Sequence, residues 1–246
     1  MNKAKRNKII ISILLIAIVS TIAMIVYFAQ DWSANKSIKG IDITGNILLD
    51  KEEILLKVKP LVINHRKDEI DLIAISNSLR KNEYIKEVYL STASSEKIGI
   101  EIIERTPLAY LVKDNGSLIY VDSDLCLFGY RHDMINPDIP IIRNILSEGI
   151  IDTVAISNAI EIVQSIRDIS NEVFKNVSEI IYNDNSIAFE IIFTAIGKKV
   201  IFGNNNSIAE KVDKMKLILD LIEKEKSLQL SKYIDIRWNN QIVARS

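Results

Sequence analysis

Two histidines, a single cysteine and a few acidic pairs are the side chains whose types could do chemistry in this sequence. His65 and His132 lie far apart, each in a charge-rich, loop-like stretch. With only Cys126 beside them, and no His-x3-His or Cys-x2-Cys spacing, there is no ligand set for zinc. Cys126 has no partner for an intramolecular disulfide, and its run Leu125-Cys126-Leu127-Phe128 predicts a small buried hydrophobe. Asp122-Ser123-Asp124 has the opening spacing of a calcium loop but lacks the glycine and glutamate that complete one, so a hairpin turn is expected there. Gly116-Ser117 is not part of a G-x-S-x-G elbow, and neither a dinucleotide-binding nor a phosphate-binding glycine loop occurs. Glu52-Glu53 sits where a helix begins, and the helix dipole accounts for it. The expectation is a protein that is not an enzyme, with no metal, no cofactor and no small-molecule substrate.

Charge placement narrows the partners. Lys3, Lys5, Arg6 and Lys8 precede a long apolar run without any acidic residue among them. Removing those four from 31 basic residues leaves 27 against 32 acidic ones, about −5 for the rest of the chain. That sign opposes nucleic-acid binding, which needs a basic stripe.

Residues 9–29 carry no charge. As a helix, roughly 21 residues at 1.5 Å each reach about 31 Å, the thickness of a hydrocarbon core. Tyr27 and Trp32 stand near its far end, where amphipathic rings favour the interface. A cleaved signal peptide has a shorter apolar region and a small-x-small site, which Phe28-Ala29-Gln30-Asp31-Trp32 does not supply. The expectation is an uncleaved anchor: a cytoplasmic tail at 1–8, a transmembrane helix at 9–29 and a linker at 30–37. The basic residues predict a cytoplasmic N-terminus, with the C-terminus across the cell inner membrane in the periplasm.

Beyond the linker, residues 38–44 alternate apolar and polar, as a half-buried strand does, and Gly45-Asn46 ends them. Asp50 caps a helix that Pro60 is expected to stop. A second helix is expected over 68–81, with Ile70, Ile73, Ala74 and Leu79 turned to the core. Strands at 85–91 and 97–103 follow, joined by a turn at Ser94-Ser95-Glu96. The order is β-α-α-β-β, a small α+β unit spanning 38–106.

That order resembles a POTRA domain, as do the phrases Ile38-Lys39-Gly40, Thr44-Gly45-Asn46 and Glu104-Arg105-Thr106-Pro107. One such unit directly after a single membrane helix resembles the bacterial cell-division family FtsQ/DivIB. The resemblance implies that a second, mostly antiparallel β domain with flanking helices fills 107–246. Pro107, Ala109, Asp122 and Phe128 fit the family's phrase at its start, while Leu125 and Cys126 stand where its glycine falls. A hairpin is expected around Asp114-Asn115-Gly116. A helix is expected over 152–167, with Val154, Ala155, Ile160, Val163 and Ile166 inward. A meander follows at 178–182, 186–193 and 198–202, and then a helix opened by the capping box Ser207-x-x-Glu210.

Near the C-terminus, Ile234-Asp235-Ile236-Arg237-Trp238 resembles the family's penultimate strand, and 241–244 is expected to be a final, uncharged strand. In that family the terminal region binds the bitopic partner FtsB, which travels with FtsL. The matching positions here are Trp238, Asn240, Gln241, Ile242 and Val243. The resemblance thus implies a non-enzymatic scaffold of the division septum, linking recruitment to septal wall synthesis within the divisome. The competing readings are a membrane-tethered periplasmic cell-wall enzyme, and an envelope sensor or secretion component. The short cytoplasmic tail is expected to be too small for a sensor's output module, and no run of amphipathic strands predicts an outer-membrane barrel.

Overall fold

The uncharged run after Lys8 has no polar stripe, and it forms the middle of one long helix, α1 (Lys3–Ala34). The computed structural model describes residues 3–34, 37–92, 96–131, 137–147, 149–222, 224–225, 228 and 230–245. Within α1 the span Ile13–Gln30 has a mean hydropathy of 2.3 and none of it is buried, so by length and composition it suits a membrane. The helix continues through Ala34 and so takes in much of the stretch expected to be a linker. Beyond α1 the chain is α+β, as the sequence predicts, and it divides into one unit ending at Glu104 and another beginning at Arg105.

In the first unit, β1 (Gly40–Thr44) lies parallel to β3 (Lys97–Glu104), and β2 (Ile85–Ser91) pairs antiparallel on the other side of β3. Ser94 and Ser95 of the expected turn lie outside the described residues. Asp50 caps α2 (Lys51–Val62) by accepting from the Glu52 amide at 3.2 Å. The helix does not stop at Pro60. That ring forfeits one bond to the Leu56 carbonyl, but it sits in the last turn, and Val58 and Val62 on the same helix are fully buried. A short 3₁₀ turn (Lys67–Glu69) follows, so the second helix starts late, as α3 (Leu72–Arg80) behind the cap Asp71. The later start changes the inward stripe. Ile75 and Leu79 are buried, whereas Ile73 is 73% exposed and Ala74 also faces out.

Two residues of the POTRA-like phrases close this unit on itself. Gly45 has φ +80°, and a Cβ there would stand 2.1 Å from the Ile102 carbonyl oxygen. Only glycine fits. The Glu104 carboxylate accepts from the amides of Ile47 (3.0 Å), Leu48 (2.7 Å) and Leu49 (2.8 Å), which ties the segment after β1 to the end of β3.

The second unit opens with β4 (Ala109–Val112), β5 (Leu118–Val121) and β6 (Leu127–Gly129), an antiparallel meander. Leu125 has φ +61°, so it takes the left-handed conformation that glycine adopts most readily. The turn is held by Asp122, whose carboxylate accepts from the Asp124 amide (3.0 Å) and the Cys126 amide (2.8 Å) and pairs with Arg105 at 2.8 Å. Cys126 is half-buried rather than buried, because the turn brings it to the surface.

After β7 (Ile141–Arg143) and the small hairpin β8 (Leu146–Ser147) and β9 (Ile150–Ile151) come α4 (Thr153–Ile169) and α5 (Asn171–Lys175). Asp152 caps α4 through the Val154 and Ala155 amides. That phase turns Val154 outward, 67% exposed, while Ala155, Ile160, Val163 and Ile166 are buried as expected. The strands β10 (Val177–Asn183), β11 (Ala188–Phe193) and β12 (Lys198–Gly203) form the expected antiparallel meander. Helix α6 (Ile208–Leu221) follows, and then β13 (Tyr233–Asp235) and β14 (Val243–Arg245).

Among the described residues the sheet order is β14-β13-β12-β11-β10-β7-β4-β5-β6. Antiparallel pairs predominate, with parallel pairing where β7 joins β4 and β10 and where β13 joins β12. Alternate residues such as Phe189, Ile191, Phe193, Val200 and Phe202 meet α4, α5 and α6 in one apolar core. The opposite face is half-exposed and carries the cross-strand ion pairs Arg143–Glu179 (2.8 Å) and Lys199–Glu190 (2.7 Å).

Candidate functional site

The five residues predicted to bind a partner all fall in one short hairpin, the segment that runs from β13 to β14. Its base is built by the Ile-Asp-Ile-Arg-Trp phrase. Ile234 and Ile236 are fully buried and anchor the segment in the core. Asp235, 2% exposed, organises the chain that follows. Its carboxylate accepts from the Arg237 amide (3.1 Å), from Arg237 Nε (3.0 Å) and Nη2 (2.7 Å), and from Trp238 Nε1 (3.3 Å). Burial pushes the Asp235 pKa up, but the bonds from Arg237 and Trp238 outweigh it and hold the carboxyl below its ordinary range. Gly203, at the end of β12, makes room for this arrangement, since a Cβ there would meet Arg237 Cγ at 2.9 Å.

Beyond Arg237 the chain leaves the sheet. Trp238 is 54% exposed, with the Arg237 guanidinium 6.0 Å from its ring centre. Asn239, Asn240 and Gln241 are exposed, and Gln241 closes a turn by donating its amide to the Trp238 carbonyl at 3.2 Å. Asn240 has φ +56°. Pairing resumes only at Val243, opposite Asp235, so the final strand is Val243–Arg245 and not 241–244. The turn consumes Gln241. Ile242 lies outside the ladder, half-buried against the core. Among the described residues the strand is an edge: β14 ends the sheet order, with β13 alone beside it.

The helix α6 holds this turn from beneath. Lys214, 8% exposed, donates to the carbonyls of Ile236 (3.2 Å) and Trp238 (2.6 Å) and pairs with Glu210 at 2.8 Å. Glu210 in turn accepts from the Asn240 amide at 2.9 Å. The bonds from Lys214 and Asn240 hold the Glu210 carboxyl below the usual carboxylate range. The predicted capping box does not form, because Ser207 has φ +52° and makes no side-chain cap. Between α6 and the turn lies an open groove of about 460 Å³, lined by Glu210, Asp213, Leu217, Leu221, Asn240 and Ile242 among others. One turn earlier on α6, Lys211 donates to the Asn204 carbonyl at 2.7 Å and lies 4.8 Å from the centre of the Phe202 ring. Burial pushes Lys211 down.

Of the histidines, His65 is exposed, and its carbonyl accepts from the Ile38 amide at 2.9 Å. His132 lies outside the described residues.

With this geometry in place, the comparison with known families decides the assignment. The sequence model of the family described as FtsQ/DivIB, C-terminal related, matches residues 106–245. The chain belongs to that family. Members of FtsQ/DivIB are cell-division proteins, and the match spans the second unit from before β4 to the end of β14. No curated protein compared with the sequence matches it. An FtsQ/DivIB-type chain with one helix suited to a membrane fits a single-pass membrane protein.

Sequence reasoning missed Glu210, Lys214 and Gly203. A signal for Lys214 was present, since it follows Val212 on a stripe otherwise apolar at Ile208, Met215 and Ile218. A charged residue so near the inner face of a helix needs a partner. Glu210 was hidden by its own spacing, which satisfied a local capping rule.

Proposed function

We propose that this chain is a non-enzymatic, membrane-anchored scaffold of the bacterial division machinery, and that it binds FtsB-like and FtsL-like bitopic proteins through its C-terminal β edge. The first unit is a POTRA-like module that serves recruitment to the septum, with the N-terminus in the cytoplasm and both units in the periplasm. The observation that supports this most is the position of β14 at the end of the sheet, with Trp238 exposed on the adjoining turn. An open edge offers unpaired N–H and C=O groups to an extended segment, and exposed side chains beside it supply specificity. Trp238, Asn240, Gln241, Ile242 and Val243 are the contact residues, Ile242 being half-buried against the core.

The test is capture of a co-expressed, tagged FtsB-like protein from detergent-solubilised membranes. Trp238→Ala and Ala244→Pro are expected to keep the parent's circular dichroism, lose capture and fail to support division. The aromatic truncation should weaken binding by about 2 kcal/mol, as for a central hot spot. Capture by both variants at the parent's level would place the partner surface elsewhere.

A further inference from the structure

The turn that carries Trp238, Asn240 and Gln241 is not held by its own strands alone. Three of its backbone groups, the carbonyls of Ile236 and Trp238 and the amide of Asn240, are bound by two side chains one turn apart on α6. Lys214 has three N–H donors, and Ile236, Trp238 and Glu210 offer one acceptor each. Glu210 closes the loop by joining its own lysine to Asn240.

We infer that Glu210 and Lys214 are positioning residues that fix the shape of the docking turn and the entry of β14, although neither needs to touch the partner. The inference rests on the proposed docking surface. Its physical basis is reciprocal. A buried ammonium is costly without acceptors, and the turn's carbonyls supply them. A turn containing a residue at φ +56°, exposed from Trp238 to Gln241, samples other conformations unless its backbone is held. The core holds only the ends of the turn, through Ile236 before it and the half-buried Ile242 after it, and does not reach Trp238 to Gln241. The clamp is therefore separable from the fold. Holding the turn in its bound shape before contact removes an ordering cost from association.

Amide hydrogen exchange and partner capture together test the clamp in the full-length, detergent-solubilised chain. Glu210→Ala removes a carboxylate that is partly open to solvent but leaves Lys214 only its two carbonyl acceptors, and is expected to lower the melting temperature while leaving the fold intact by circular dichroism. It should speed exchange at Asn240 about 10²-fold and weaken capture of the FtsB-like protein about ten-fold. Glu210→Gln keeps an acceptor for Asn240 and should restore both, and Lys214→Arg should do so in part where Lys214→Met does not. Unchanged exchange in Glu210→Ala, or faster exchange with capture equal to the parent's, overturns the inference. Trp238→Ala is the control, with expected loss of capture but ordinary exchange at Asn240. If that variant binds as the parent does, the docking surface itself is wrong and the inference falls with it.

Discussion

Gly203 and Arg237 are fitted to each other: the Cβ that Gly203 lacks would lie 2.9 Å from Arg237 Cγ and 3.1 Å from its Cδ. The guanidinium so placed reaches Asp235, and Asp235 orders the start of the turn that carries Trp238. Gly203→Ala is expected to cost roughly 1–3 kcal/mol, because it combines a φ of +81° with a collision against the Arg237 stem. Thermal unfolding measures it. Measured against Arg237→Ala alone, in which the stem is gone and the Asp235 pair is already lost, Gly203→Ala should cost only the backbone part.

Gly45 and Gly116 share φ +80° but not surroundings. Alanine at Gly116 meets open space, so only the backbone term applies, about 1 kcal/mol. Alanine at Gly45 drives a methyl onto the Ile102 carbonyl and should cost at least about 3 kcal/mol. Equal losses for the two in denaturant titration would show that the approach to Ile102 relaxes freely.

Acid should loosen the second unit through Asp235. Its folded pKa lies below the unfolded value of about 3.9, so its contribution is complete above that value and is lost as pH falls through the folded pKa. Asp235→Asn is expected to be less stable at neutral pH and to show a flatter decline below about pH 4. Melting temperatures of parent and variant between pH 2.5 and 7 (roughly, the range over which carboxylates titrate) check the sign.

Arg105→Ala leaves the nearly buried Asp122 carboxylate with backbone donors but no counter-charge. A loss of about 2–3 kcal/mol is expected. Combining Arg105→Ala with Asp122→Asn should cost less than the sum of the two single changes, which a double-mutant cycle on unfolding free energies resolves.

The parts of the fold that could be read from sequence are those with strong local period. The stripes of α4 and α6, the meander β10–β12 and the strands β2 and β3 repeat often enough to fix face and extent. The insertion of β7 between β4 and β10 could not be read, because three residues in parallel pairing carry no period and the decision lies with distant partners. The inner face of α3 was misjudged for want of one cap: Asp71, not Asp68, precedes the helix, and its buried positions are Ile75 and Leu79, with Ile73 and Ala74 turned out. At the candidate site the resemblance located the hairpin, but the strand boundary moved by two residues. Asn240 at positive φ and the bond from Gln241 to Trp238 lengthen the turn. Neither leaves a mark in the alternation of 241–244. Glu210 shows the opposite error, since a valid local motif lost to a tertiary partner thirty positions on.

The parallel joining of β13 to β12 across α6 has a consequence for biogenesis. A chain cut or stalled before Tyr233 has no β13 and no β14, and its sheet ends at β12. That six-residue edge is longer than the one it replaces and lies beside an apolar core that still lacks Ile234 and Ile236. Lys198 and Lys199 at its start discourage strand-to-strand association, as lysines do on exposed edges. The edge proposed to receive a partner therefore exists only when the hairpin has been added. Unfinished chains present a lysine-guarded edge in its place, so under the proposed function partner engagement would require the second unit to be complete.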